Sequence, residues 1–83
     1  MTDQKILEDW EELQGIIGWL VTDGKTASLD MKNHFLIKFN RLIVRHELSP
    51  VLSYKEILSF MKIRAAAARA RLEAAGQKWE SKN

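Results

Sequence analysis

The chain has 83 residues, 46% of them hydrophobic, so it is long enough for one small domain and too apolar for a disordered protein. It contains no cysteine, which excludes thiol catalysis and zinc–thiolate sites and fits a reducing compartment. The formal net charge is +2, but residues 1–23 carry a net −5 and residues 24–83 a net +7. This polarity suits nucleic acid or an acidic partner, and an acidic first helix packed beside a basic remainder explains it equally well.

A first helix is predicted over residues 3–21, with Thr2 or Asp3 as its N-cap. Its apolar side chains recur in steps of four and three residues, which places them on one face of a helix. That face consists of Ile6, Trp10, Leu13, Ile17 and Leu20. The other carboxylates of the helix are expected on its solvent-exposed sides; they are Glu8, Asp9, Glu11 and Glu12.

Trp19 points away from the apolar face of the first helix. Exposed tryptophans are common at protein interfaces, so Trp19 is a candidate anchor for a partner protein. The alternative is that another part of the same chain covers it, either the third helix or the tail with Trp79.

Segment 22–28 is predicted to be a loop, because its Asp-Gly pair is typical of turns and glycine can adopt a positive φ. A second helix is predicted over residues 29–47, with Ser28 as its N-cap. Its apolar face consists of Met31, Phe35, Leu36, Phe39, Leu42 and Ile43. Ile37 and Val44 lie on a further edge, one heptad apart, and indicate that this helix is buried on more than one side.

The second helix also carries a strip of basic side chains away from its apolar face. At about 100° per residue, its four members fall within an arc of about 60°. They are His34, Lys38, Arg41 and Arg45. The strip suits phosphate contacts to nucleic acid or an acidic partner surface, and a solvated basic face is the alternative.

The third and longest helix is predicted over residues 54–75, with a capping box of Ser53 and Glu56 at its start and Gly76 as its stop. Apart from Trp79, residues 77–83 are polar, and they are expected to form a frayed tail. The core-facing stripe consists of Ile57, Met61, Ala68, Leu72 and Ala75. Basic residues flank this stripe in two pairs, each one heptad apart; they are Arg64 with Arg71 and Lys62 with Arg69.

A second stripe of mostly small side chains lies on another side of the third helix. It consists of Ile63, Ala66, Ala67, Ala70 and Ala74. Another helix can approach closely along such a surface, which predicts an interface with a partner protein or within a homodimer. Because alanine has the highest helix propensity, surface filler is the alternative interpretation.

The sequence LSYKEILSFMKIRAAAARARLEAAG, residues 52–76, resembles the helix-turn-helix of winged-helix regulators. Apolar residues stand at the matching positions, and the ending LEAAG is similar to the close of a recognition helix in that family. The resemblance implies DNA binding, with Arg64, Arg69 and Arg71 as groove or phosphate contacts. The chain departs from the family pattern at Lys62, which stands in place of the turn glycine and favours one continuous helix.

The sequence contains no phosphate-binding glycine loop, zinc-protease motif or nucleophile elbow, so we expect no enzyme, no cofactor and no small-molecule substrate. His34 and His46 lie about 120° apart around the second helix and are not expected to share a metal ion. The N-terminus lacks a signal-peptide pattern, and every apolar run is far shorter than the ~20 residues that span a bilayer. We therefore expect a soluble, cytoplasmic protein that does not interact with membranes.

Together these patterns predict an all-α fold, a three-helix bundle with a long C-terminal helix, either monomeric or dimeric. The predicted function is that of a small, non-enzymatic regulatory protein that docks on another protein to block or recruit it. Small single-domain proteins without cysteine are frequent among the accessory factors of phages and mobile elements. The alternatives are a helix-turn-helix regulator that binds DNA through residues 52–76 and a structural subunit of a larger assembly.

Overall fold

The computed structural model describes residues 1–76, and this range contains three α-helices and no β-strand. The helices are α1 at Asp3–Val21, α2 at Leu29–Arg45 and α3 at Tyr54–Ala74, and a short 3-10 helix at Asp23–Lys25 follows α1. The prediction of an all-α, three-helix fold is confirmed. The tail predicted for residues 77–83, with Trp79, lies outside the described residues.

Each helix begins at a side-chain cap that the sequence predicts. The hydroxyl of Thr2 accepts a hydrogen bond from the backbone N–H of Lys5 at 3.2 Å, and Ser28 caps α2 in the same way. At Ser53 the capping box is complete. Its hydroxyl accepts from the N–H of Glu56 at 3.2 Å, and its own N–H donates to the Glu56 carboxylate at 3.1 Å. These bonds satisfy N–H groups that lack a partner within the helix, and so they fix the start of each helix.

Helix α2 ends at Arg45, two residues before the predicted bound, because its C-terminus closes in a Schellman motif. The N–H of Leu48 donates to the carbonyl of Ile43 at 3.0 Å. Glu47 adopts the left-handed backbone that this motif requires, with φ at 56°. At the end of α3 a glycine takes this role, Gly76 with φ at 77°, and that helix is one residue shorter than predicted.

Helix α1 contacts both other helices and packs more extensively against α3 than against α2. It is therefore buried on two sides, which explains why a prediction based on one apolar face leaves out Leu7 and Ile16. Helix α2 also meets the start of α3, where the rings of Phe39 and Tyr54 pack edge to face with centroids 5.4 Å apart. The buried hydrophobic side chains are Leu7, Leu13, Ile16, Ile17, Leu20, Leu42, Ile43, Ile57, Met61, Ala65 and Ala68.

Four side chains predicted to be buried are exposed. Met31, Ile37 and Val44 all face solvent, because α2 packs along one narrow face on α1 and makes few contacts with α3. The prediction that α2 is buried on more than one side is therefore wrong. On α3, Ala75 is exposed beyond the end of the helix, and Ala65 is buried in the core stripe instead.

Helix α3 runs without interruption from Tyr54 to Ala74. Lys62, which stands where a helix-turn-helix has its turn, lies in the middle of this helix. No glycine or proline interrupts residues 54–75, and the alanines among them favour helix strongly. The turn that the resemblance to winged-helix regulators implies is therefore absent from α3.

Candidate interaction surfaces

Helix α3 carries an exposed apolar stripe, which we call the outer stripe. Its members recur in steps of three and four residues, on a different side of the helix from the core residues Ile57 and Met61. Among them, Phe60 is 50% exposed and Ile63 is 70% exposed. The outer stripe consists of Phe60, Ile63, Ala67, Ala70 and Ala74, and the exposed Ala66 lies beside it.

The outer stripe contains four of the five residues of the second stripe predicted from the sequence, which we call the alanine seam, and adds Phe60 to them; the fifth, Ala66, lies beside it. Phe60 and Ile63 occupy its N-terminal half, where they line an open pocket of about 330 Å³ with Lys55, Glu56 and Ser59. The alanines continue the stripe toward the C-terminus as a flat surface without large side chains. Sequence reasoning missed Phe60, although its place three residues before Ile63 continues the spacing of the seam.

The second surface is an open groove of about 630 Å³ between α1 and α2, which we call the α1–α2 groove. Its floor is apolar and is formed by Ile16, Trp19 and Phe35. Acidic side chains dominate the α1 wall, and Lys38 stands on the α2 wall. The complete lining is Lys5, Glu8, Glu11, Glu12, Gly15, Ile16, Trp19, Phe35 and Lys38.

Trp19 is half-buried because α2 covers one side of its ring. It stacks on Phe35, with the ring centroids 4.0 Å apart and the planes inclined by 16°. Gly24 lies against the same ring, where a Cβ atom would be 3.4 Å from Cζ3 of Trp19. The turn does not use the positive φ that glycine allows, since Gly24 keeps a negative φ. Helix α2 and the turn after α1 thus cover one side of Trp19, a role that the sequence-based prediction gives to the third helix or the tail.

A buried charge cluster joins α1 to the end of α2. The carboxylate of Asp9 is wholly buried, so the prediction that it lies on an exposed side of α1 is wrong. Arg45 donates to both of its oxygens at 3.0 Å, and Nε2 of His46 lies 2.8 Å from Oδ2. Nζ of Lys5 lies 3.5 Å from Oδ1. The sequence signal was the position of Asp9, one turn before Leu13 on the side of α1 that meets α2.

Burial of Asp9 by itself raises the pKa of its carboxyl group, since it removes the charge from water. Hydrogen bonds from Arg45 and His46, with the positive charges of Arg45 and Lys5, outweigh this effect. The pKa of Asp9 therefore lies below its usual value, and the carboxylate is an ionised acceptor that holds two helices together.

The basic residues predicted as contacts divide into two groups. Three arginines bond within the chain. Arg45 belongs to the charge cluster, Arg64 donates to the carbonyl of His46 at 2.6 Å, and Arg71 binds Asp3 at 2.7 Å. Two of the three contacts implied by the helix-turn-helix resemblance are thus already engaged. The other basic candidates are exposed and form no ion pair within residues 1–76; they are His34, Lys38, Arg41, Lys62 and Arg69.

The two histidines occupy different environments. His46 is bound into the charge cluster, whereas His34 is exposed with its ring 5.6 Å from that of Phe35. Within the part of the chain that the structure describes, no group of three histidine or acidic side chains could hold a metal ion, and no helix is long and apolar enough to cross a membrane.

Comparison of the chain with protein-family models, with curated proteins and with solved structures yields no match. Functional conclusions therefore depend on the outer stripe of α3 and on the α1–α2 groove.

Proposed function

We propose that this is a non-enzymatic binding protein, which docks on another protein through the outer stripe of α3 and thereby blocks or recruits it. The observation that supports the proposal most directly is the exposure of two large apolar side chains on one helix face, 50% at Phe60 and 70% at Ile63. Contiguous exposed apolar side chains of this kind are typical of protein–protein interfaces.

The outer stripe suits docking against a helix or another flat apolar surface. Phe60 and Ile63 supply side chains that fill pockets on a partner, and the alanines beyond them allow a partner backbone to lie close to α3. Helix α3 is also held in place before binding, by its capping box and by the bond between Arg71 and Asp3. Little conformational entropy is therefore lost when a partner binds this helix.

Two features of α3 favour a protein over nucleic acid as the partner. Arg64 and Arg71 flank the outer stripe, but their guanidinium groups already bond within the chain. The stripe itself is apolar, whereas surfaces that bind nucleic acid are polar and strongly positive. Lys62 and Arg69 lie on the other flank of the core stripe, about 80° or more around the helix from every member of the outer stripe.

Capture from an extract of the source cells tests the proposal, with nuclease treatment in parallel. The informative variant is Ile63→Glu, which places a charge beside Phe60 in the N-terminal half of the outer stripe. Val44→Glu is the matched control, because Val44 is equally exposed, at 76%, but lies on α2. We expect one protein to bind the wild type and Val44→Glu and to bind Ile63→Glu at least ~10-fold more weakly, since the glutamate must be desolvated at the interface.

Two outcomes contradict this proposal. Equal capture of the same protein by all three forms would place the docking surface elsewhere. Capture that disappears after nuclease treatment would show that nucleic acid, rather than a protein, is the direct partner.

A further inference from the structure

The α1–α2 groove has walls of opposite charge. Glu11 and Glu12 stand on the α1 wall. Lys38 stands on the α2 wall, and Arg41 follows it one turn later on the same exposed side, without an ion pair to another described residue. The apolar floor separates the two walls, so the groove offers both signs of charge around a hydrophobic centre.

The charged side chains of the two walls lie nearly level with each other. Two contacts, the bond of Arg45 to Asp9 and the stacking of Phe35 on Trp19, are ten residues apart on each helix and show that α1 and α2 are antiparallel. Glu12, three positions after Asp9 on α1, therefore lies at about the same height along the helix pair as the residue three positions before Arg45 on α2. The acidic wall and the basic wall thus overlap along the groove.

We propose that the α1–α2 groove of one copy packs on the same groove of a second copy, in a dimer whose two-fold axis runs parallel to the helices. In this arrangement α1 of each copy lies on α2 of the other, and residues at the same height along the helices face each other. Glu12 then faces Lys38 and Arg41 of the second copy, twice by symmetry. The half-buried rings of Trp19 and Phe35 become fully buried at the centre.

The charges of the two walls favour this dimer over other symmetric dimers, and a second copy over other partners. A two-fold axis across the helices would instead set α1 on α1 and α2 on α2, so that acids face acids and bases face bases. A nucleic acid, or a partner with one sign of charge, would meet one attractive wall and one repulsive wall. A second copy supplies both signs in the order that the groove requires.

The dimensions of the groove face suit a weak dimer. Helices α1 and α2 contain 19 and 17 residues, which gives lengths of about 28 and 25 Å at a rise of about 1.5 Å per residue. By the register above, α1 and α2 run side by side over residues 9–21 and 33–45, about 19 Å at this rise. Two such segments about 10 Å apart present roughly 400 Å² per copy, so the dimer buries roughly 800 Å², the size of a weak and transient interface. The dimer is therefore expected to dissociate on dilution.

Sedimentation equilibrium tests the dimer. The wild-type mass is expected to rise with concentration from 9.6 kDa toward twice that value. Glu12→Lys and the double variant Lys38→Glu/Arg41→Glu are each expected to weaken the dimer at least ~10-fold, because each sets like charges together. An equimolar mixture of the two variants is expected to dimerise again, since their walls are complementary. Circular dichroism establishes that each variant is folded.

Three results would overturn the dimer proposal. The first is a wild-type mass that stays at 9.6 kDa up to millimolar protein. The second is a dimer that both charge reversals leave intact. The third is a dimer that Ala70→Glu dissociates while the charge reversals do not, which would assign self-association to the outer stripe of α3.

Disulfide cross-linking tests the direction of the axis. The natural chain has no cysteine, so Glu12→Cys and Arg41→Cys each introduce a single thiol. When the two variants are mixed under mild oxidation, disulfides between Glu12→Cys and Arg41→Cys are expected to predominate. A predominance of disulfides between two Glu12→Cys chains would set α1 against α1 and contradict the proposed axis.

Discussion

At the residue scale, Asp9 ties α1 to the end of α2. Its carboxylate is wholly buried and accepts hydrogen bonds from Arg45 and His46, at the C-terminus of α2. Arg64 of α3 also reaches this point, through the carbonyl of His46. All three helices therefore meet at one polar cluster, and loss of the Asp9 charge is expected to affect the packing of α2 and α3 as well as that of α1.

Asp9→Asn is expected to lower the free energy of unfolding by about 2–3 kcal/mol at pH 7, because it leaves Arg45 and His46 without their ionised acceptor. The folded-state pKa of Asp9 lies below the unfolded value. The charge of Asp9 therefore stabilises the fold above the unfolded pKa of about 4, and this contribution is lost as the pH falls through the folded pKa.

Urea unfolding at pH 7 and at pH 3 measures this effect. The difference between the wild type and Asp9→Asn is expected to shrink at the lower pH, since pH 3 lies below the unfolded pKa of about 4 and the unfolded wild type then binds a proton at this carboxyl group, which favours unfolding. Glu73→Gln is the control, an exposed acid on α3. A difference that is the same at both pH values would show that the charge of Asp9 contributes nothing.

Glu47 is the second residue with a specific energetic role, because it adopts a left-handed backbone with φ at 56°. A residue with a Cβ atom is strained in this conformation, whereas glycine is not. Glu47→Gly is therefore expected to raise the free energy of unfolding by about 1 kcal/mol. Thermal unfolding checks this value, and a variant less stable than the wild type would contradict the assigned Schellman motif.

At the scale of elements, the caps determine how well the helices could be predicted. Thr2, Ser28 and Ser53 each accept the bond expected of an N-cap, so all three helix starts follow from the sequence. Buried faces were predicted less well, because periodicity describes one apolar face while α1 is buried on two. The end of α2 was also missed, since a glutamate rather than a glycine adopts the positive φ there.

The candidate surfaces were predictable to different degrees. The alanine seam of α3 was predictable from the spacing of its residues along the helix, and all of its members are exposed in the structure. The α1–α2 groove was not predicted, because it depends on the stacking of Trp19 on Phe35, a contact between residues 16 positions apart. The internal bonds of Arg64 and Arg71 were not predictable either, since their acceptors come from other elements.

The continuity of α3 can be tested at Lys62. Lys62→Gly is expected to destabilise the protein by about 1 kcal/mol, because glycine in the middle of an exposed helix face is unfavourable. Lys62→Ala is the control and is expected to be neutral or slightly stabilising. Urea unfolding followed by circular dichroism measures both variants. A Lys62→Gly variant as stable as the wild type would instead favour a turn, as in helix-turn-helix proteins.

At the scale of the whole molecule, the protein is a thin layer of 44 × 27 × 18 Å with α1 in contact with both other helices. Leu7 of α1 packs on the core stripe of α3, whereas Glu11 and Gly15 of α1 line the α1–α2 groove. Helix α3, which carries the outer stripe, and the α1–α2 groove therefore lie on different sides of α1. A dimer formed through the groove would carry two outer stripes, so it would gain affinity for a partner that presents two binding sites within reach of both.

The most direct test of the docking proposal is an NMR titration of isotope-labelled protein with the captured partner. The proposal predicts that the backbone signals of residues 56–74 change most, centred on Phe60 and Ile63. The signals of the exposed basic side of α2, around His34, Lys38 and Arg41, are expected to change less. Large changes along that side of α2 with residues 56–74 unaffected would contradict the proposal that the outer stripe of α3 binds the partner.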